Sequence, residues 1–494
     1  MENKKLLLNS SAAVIQVLLV GIIYFILYRY LLDILGIELL GVWSLIIAST
    51  SVALLANFGI STSIIKFVAT YYARNDIESL KKLFFTAGVF ILSTYSVISI
   101  IIYFFAPFIL HYFVDNQYLS IALKILPWSI LSLLINAVGG VFSSGLDGIQ
   151  KNHLRSFLIS VSSIILLVCS FLLTKPLGLL GLVYSQILQA LIVFLGSIYF
   201  LQRNIKGIFS FHWNWSKPLF KEIFSYGLKM QLLSIMQISF EPITKFLMSK
   251  YGGLAFVGYY EMANRLVTQL RSVIVNANQV MIPVVAEAKE VNSTNLISIY
   301  KKTFSWVFFI TLIFLSLLIS FAPFIGFLWI GYWVPFFNFV VVISCITSLI
   351  NLVTNPAYFN FMGEGNLNPL IYSYLIIFIL NPALGFLLGE HFLADGVVLA
   401  WNISFSLGSI AVTYFYHKQN KTTVQELLNK NDILLFVSAL FFSSVTFIIS
   451  SLFILKKLNV FWITICIFAF LVFCLALLKH PKFINMYQFI KKKV

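Results

Sequence analysis

Apolar runs of roughly 18 to 30 residues follow one another along almost the whole chain, joined by short polar links. A helix of that length crosses a hydrocarbon core about 30 Å thick. The runs lack the two-residue alternation of barrel strands, and inside a bilayer a helix satisfies its own backbone. The chain therefore reads as an all-α, polytopic membrane protein. Its composition agrees: soluble domains carry roughly 25% charged residues, whereas 10% are charged here and 60% are hydrophobic. About 14 transmembrane helices are expected, with cores near 11–30, 39–69, 83–108, 119–146, 154–174, 178–201, 223–249, 254–284, 303–330, 336–362, 369–389, 394–416, 432–455 and 459–478. The spans at 39–69 and 254–284 are too long for a simple crossing, so they must tilt, bend or protrude.

Lys and Arg set the orientation. With the N-terminus inside, roughly 22 of them fall in inner segments and 6 in outer ones. The net charge of +16 is thus mostly topology, and no nucleic-acid partner is implied. The start, MENKKLLLNSSAAVIQVLLVG, has a basic front and no clear cleavage site, and is expected to be an uncleaved first span with a cytoplasmic N-terminus. The C-terminus is expected on the same side. Cys169, Cys345, Cys466 and Cys474 lie in apolar runs without metal-like spacing, and no H-E-x-x-H pattern occurs, so no metal site and no cofactor are expected. No nucleotide-binding motif or large loop is present, which disfavours an ATP-driven pump or a membrane enzyme with an external catalytic domain.

The chain repeats itself. FAPFI occurs at Phe105–Ile109 and again at Phe321–Ile325. GLLGLVYSQ from Gly178 parallels LADGVVLAWN from Leu393, and LGIELLGVWS from Leu35 parallels YGGLAFVGYY from Tyr251. The offset stays between about 215 and 220 over six spans. Six is even, so both copies enter the membrane from the same side, as two parallel-repeat six-helix lobes. The expected organisation is a lobe at 1–206, an amphipathic cytoplasmic linker at 207–222 with Trp213 and Trp215 at headgroup level, a second lobe at 223–418, and two C-terminal helices with a basic tail at 419–494. A substrate path is expected between the lobes.

Charges inside spans cost about 2.5–3.5 kcal/mol each at mid-membrane and mark functional candidates. Five are cations: Lys66, Lys229, Lys245, Arg265 and Arg271. Glu241 and Glu261 accompany them, each four residues before a cation and so on one helix face with it. Lys66 and Lys229 also suit snorkelling to an interface. Arg271 has no acid at helical spacing. The surplus points to a cationic cavity that binds an anion, since Arg matches phosphate oxygens in bidentate geometry. Pro242 would open or bend its helix beside Glu241, as a hinge or as a tolerated kink. Asp147 and Glu364 are repeat-related, in GLDG and GEG at inner span ends, and read as turns or as a gate.

The paired six-span halves, the two extra spans, FGISTSIIKFVATYYARND after the second span and the GLDGIQKN turn resemble the polysaccharide flippases of the MOP exporter superfamily, closest to the O-antigen, Wzx-type translocases. The resemblance implies a flippase that carries an undecaprenyl-diphosphate-linked oligosaccharide from the cytoplasmic to the periplasmic leaflet of a bacterial inner membrane by alternating access. It implies no catalytic residue and no bound cofactor, coupling to H+ or Na+, a groove for the lipid tail at the two extra spans, contact with membrane lipids, and work alongside a polysaccharide polymerase and other assembly proteins. Glu241 and Glu261 are the mid-span acids such coupling could use. A lipid II flippase shares this plan. A multidrug antiporter of the same superfamily would have twelve spans and an acid in the first, where Val14–Tyr30 has none. A membrane glycan polymerase or acyltransferase would need a sizeable loop or a catalytic His/Asp/Arg cluster.

Overall fold

A computed structural model describes residues 2–51, 60–205, 207–208, 215–279, 285, 294–423, 426–456 and 460–485. The protein is all-helical, with no strand among the described residues. In order the helices are α1 (Glu2–Leu35), α2 (Ile37–Ser51), α3 (Ile60–Ala73), α4 (Ile77–Phe113), α5 (Asn116–Gly148), α6 (Asn152–Leu177), α7 (Leu179–Asn204), α8 (Lys217–Gly252) and α9 (Leu254–Gln279). They continue as α10 (Thr294–Ile330), α11 (Pro335–Glu364), α12 (Asn368–Asn420), α13 (Lys430–Ile454) and α14 (Val460–Leu478).

Among the described residues, nine helices are long and apolar enough to cross a membrane. The helices α8 and α9 are not among them, because they hold Lys229, Glu241, Lys245, Glu261, Arg265 and Arg271. The long run at 39–69 resolves into α2 and α3, with 52–59 outside the described residues. Trp213 also lies outside them, while Trp215 is exposed and stacks on Phe220 at 5.5 Å.

Two compact units are present, Met1–Gly258 and Tyr259–Val494. In the first, α5 and α6 pack on α7, α1 packs on α6, and α8 packs on α2, α3 and α4. Ile64, Val68, Leu83, Phe84 and Leu146 form much of a shared core. A Cβ on Gly148 would sit 2.6 Å from the Val68 Cβ, so only glycine lets α5 come this close to α3. In the second unit, α10 packs on α11 and α13, α11 on α12, and α13 on α14.

The sequence repeat is written into the backbone. The helices α4 and α10 are both 37 residues long and carry Pro107 and Pro323 of the duplicated FAPFI. The stretch formed by α6, Gly178 and α7 corresponds to α12, which is two helices merged across a break at Leu393. Gly178 has φ 59 and ψ −139, and Leu393, 215 positions later, has φ 53 and ψ −133. Three residues beyond each break, a Cβ on Gly181 would lie 2.1 Å from the Leu173 carbonyl oxygen, and one on Gly396 2.0 Å from that of Leu388. Both tight helix-to-helix corners therefore need a glycine at the approach. Only the first has a glycine at the break itself.

Leu393 holds a positive φ that glycine tolerates and leucine does not, at a cost of about 1–2 kcal/mol. Its side chain is 62% exposed, so its removal forfeits little packing. Leu393→Gly is expected to raise stability by about 1 kcal/mol, read as a higher unfolding midpoint of purified protein. A lower midpoint would show that the break is not strained.

Candidate functional site

Arg271 lies two-thirds of the way along α9 and is half-buried in the second unit. Its Nε donates to Asn351 Oδ1 on α11 at 3.0 Å. Asn351 Nδ2 in turn donates to Ser409 Oγ on α12 at 2.9 Å. The guanidinium carbon sits 5.2 Å from the centroid of Phe405, whose ring stacks on Trp401 at 5.0 Å and 19°. Three helices thus orient one cation with an amide, a hydroxyl and an aromatic face, and with no carboxylate among its described contacts.

This arrangement preserves the positive charge. An acid partner would cancel it, whereas Asn351 fixes the plane through Nε alone, and an aromatic face attracts a cation without neutralising it. A guanidinium has five N–H donors. The four on its terminal nitrogens make no hydrogen bond to a described residue, and neither nitrogen is among the sealed, unpartnered atoms. The fork is therefore held rigid at its base and open at its tip, the geometry that grips two oxygens of a phosphate or carboxylate.

The other expected cations lie elsewhere. Arg265 is half-buried on α9, but six residues at about 100° each place it roughly 120° around the helix from Arg271. It shares its face with Glu261, which is 8% exposed. Lys245 and Glu241 form an ion pair on α8 at 2.5 Å, in which the Lys245 side chain is 1% exposed and that of Glu241 is 55% exposed. Pro242 is buried between them and α8 continues through it. Lys66 is exposed on α3, with Nζ 5.4 Å from the Phe67 ring centroid. The Lys229 side chain lies outside the described residues. Lys66 and Lys245 belong to the first unit, and Arg265 and Arg271 to the second.

The two repeat-related acids differ in their surroundings. Asp147, at the end of α5, pairs with Arg155 on α6 at 2.5 Å and staples that helical corner. Glu364 ends α11 before Gly365, which adopts the left-handed conformation, and accepts a bond from Gln419 Nε2 at 3.4 Å.

A further charged cluster was not legible as one in the sequence. Asp432, on the first turn of α13, accepts from Lys482 Nζ at 3.0 Å and lies 3.1 Å from His480 Nε2. Lys482 also donates to the Ser305 carbonyl of α10 at 2.6 Å, and the His480 ring lies 4.7 Å from that of Phe309. No group of His, Cys, Asp and Glu suited to a metal occurs among the described residues.

The description "polysaccharide biosynthesis protein" matches residues 6–289, more than half of the chain. The chain belongs to the polysaccharide biosynthesis protein family. This family member shares its fold with transporters of the MOP superfamily. It resembles a multidrug resistance MATE family transporter in an inward-facing conformation with a TM-score of 0.68, at 16% identity, over 82% of this chain and 96% of that one. It resembles the lipid II flippase MurJ with a TM-score of 0.68, at 15% identity, over 95% of this chain and 98% of that one. A MOP superfamily transporter from Pyrococcus furiosus aligns with a TM-score of 0.61, at 17% identity, over 84% and 96% of the two chains. No curated protein matches the sequence. The family, the fold and the nine apolar helices among the described residues together make the chain a multi-pass membrane protein.

Proposed function

We propose that this chain is a flippase that moves an undecaprenyl-diphosphate-linked oligosaccharide, an O-antigen or capsule repeat unit, across a bacterial inner membrane. One observation supports this reading most directly: the Arg271 guanidinium, held by Asn351 and Phe405 without an acid, keeps its charge and leaves its fork open. A lipid diphosphate offers oxygens at the spacing this fork bonds. Bare charge burial is unfavourable in a bilayer, so a cation held without an acid beside it favours an anionic ligand. Arg271 takes the diphosphate, and Lys66, Lys229, Lys245 and Arg265 add to the positive field along the path. The protein breaks no bond of its cargo and acts as no enzyme. The lobes alternate between inward-open and outward-open states with both termini in the cytoplasm, and an H+ or Na+ gradient drives them. The lipid II flippase is the second reading, favoured by the alignment over 95% of this chain, which takes in helices beyond the twelve-span plan.

The test is a strain lacking the gene. Undecaprenyl-linked glycans are extracted and their leaflet is read with a periplasmic ligase. Accumulation on the cytoplasmic side with lost surface polysaccharide is expected. Arrested cell-wall synthesis with normal polysaccharide display would transfer the assignment to lipid II. Normal display of both with raised drug sensitivity would overturn the flippase reading.

A further inference from the structure

The helix α11 and the second half of α12 run side by side in register. Thr347 meets Ser406 at 3.5 Å, Asn351 meets Ser409 at 2.9 Å, and the ring of Phe361 lies 5.4 Å from that of Tyr416. One turn beyond the Asn351–Ser409 pair come Asn355 on α11 and Thr413 on α12. One further turn along α12 brings Tyr416.

These three residues share a property. Asn355 Nδ2, Thr413 Oγ1 and the Tyr416 hydroxyl are all sealed from solvent, and none has a hydrogen-bond partner among the described residues. Asn355 and Tyr416 are 7% and 0% exposed. Buried polar groups left without partners cost about 1–3 kcal/mol each. Three fall within about two turns of one seam, close enough to be satisfied by the same bound molecules.

The chemistry of the orphans selects their ligand. They are a donor amide and two hydroxyls that donate or accept, and no carboxylate. A metal cation needs acceptors and negative charge. Water takes donors and acceptors together and binds where two to four polar partners converge.

The seam also has defined ends. At one end Asn351 holds Arg271. At the other, the Tyr416 ring lies 4.4 Å from that of Tyr300 on α10, and the Tyr300 hydroxyl is 2.8 Å from His417 Nε2. Tyr416 lies within electrostatic reach of Glu364, and His417 within that of Glu426, which is itself paired with Lys301 at 2.6 Å. Lys418 follows on the same helix, with Nζ 6.0 Å from the Tyr414 ring centroid.

We propose that the seam between α11 and α12 holds a file of internal waters that gives protons a route between the Arg271 site and the His417–Tyr300–Glu364 cluster. Asn355, Thr413 and Tyr416 hold the waters, and His417 and Glu364 are the groups that take and release the proton at the far end. The hydration stands on the orphaned atoms alone. Its service to transport rests on the flippase reading.

Radiolytic footprinting of the purified full-length protein tests the waters without any substrate, because hydroxyl radicals made from bound water oxidise the side chains beside it. Tyr416 is expected to be modified within about tenfold of the exposed Tyr414, although buried, while the equally buried Tyr28 stays unmodified. Asn355→Leu combined with Thr413→Val is expected to lower Tyr416 modification at least fivefold. Tyr416 as inert as Tyr28 in the unsubstituted protein would overturn the water file, whether or not the double variant folds. The proton route is read in liposomes with an internal pH dye under an imposed pH gradient. Flux several-fold above protein-free vesicles is expected, falling to that baseline in the double variant. Flux that the substitutions leave unchanged, or no flux above baseline, would overturn the route. Neither measurement uses a glycan, so a failed flippase reading leaves the footprinting result standing.

Discussion

Arg271→Ala is expected to abolish transport while leaving protein abundance unchanged. Two charge-assisted hydrogen bonds to a phosphate are together worth about 3 kcal/mol or more, and each 1.4 kcal/mol is a factor of ten, so transport falls by on the order of 100-fold. The fold should survive, because Arg271 is half-buried and bonded through Nε alone, and Asn351 keeps its bond to Ser409 when the guanidinium is gone. Arg271→Lys preserves charge but replaces a planar fork by a point donor and breaks the Nε–Asn351 bond. It should recover part of the activity. Asn351→Leu should give an intermediate loss with the charge intact, since it frees the guanidinium to rotate. The readout is surface glycan in a null strain complemented with each variant, normalised to membrane protein level. Wild-type display by a well-expressed Arg271→Ala protein would remove the anionic site.

Arg271 also marks how far the sequence could be read. A lone cation deep in a span, without an acid at helical spacing, implies that its partner comes from another helix. Nothing local identifies Asn351 as that partner, 80 residues on, because the meeting is made by the packing of α9, α11 and α12. The Glu241–Lys245 pair needed only the helical period to be foreseen, although not its asymmetry, with the lysine buried and the acid exposed. The repeat was legible for a related reason. Duplicated glycines such as Gly181 and Gly396 are fixed by close backbone approach, and such positions tolerate no drift. The boundary between the spans at 369–389 and 394–416 was legible, and so was its parallel with the stretch from Gly178, but the positive φ at Leu393 was not, since leucine carries no turn signal of its own. The Asp432 cluster escaped because charges at span ends read as interfacial, and their burial depends on α10, which supplies Ser305 and Phe309. One signal was available: Asn429 and Asp432 stand three apart at the start of an apolar run, and in the structure they form a reciprocal capping box.

That cluster carries the largest stability effect expected in the protein. Asp432 is 2% exposed at its side chain and accepts from Lys482, His480 and the Asn429 amide. Removing one partner of a buried ion pair strands the other charge and costs about 3–5 kcal/mol. Asp432→Ala should therefore destabilise the protein by about that amount, and it should free the segment after α14 from α10, because Lys482 and His480 are what hold it there. Limited proteolysis just beyond Leu478, faster by an order of magnitude or more than in the unsubstituted protein, reads the release directly. Intact protection would mean that apolar packing of α14 on α13 suffices. The same cluster fixes the sign of a pH effect. Burial, reinforced by the Lys482 charge, holds the His480 imidazole below its ordinary value of 6.5, against the pull of Asp432. The unfolded chain then takes up the proton first as pH falls through 6.5, so stability drops on acidification, by at most about 1.4 kcal/mol per pH unit for one proton. His480→Gln removes that titration. Its unfolding midpoint should be flatter between pH 7 and pH 5, on the order of the interval set by one imidazole. An unchanged slope would assign the acid sensitivity to other groups and leave His480 as a packing residue against Phe309.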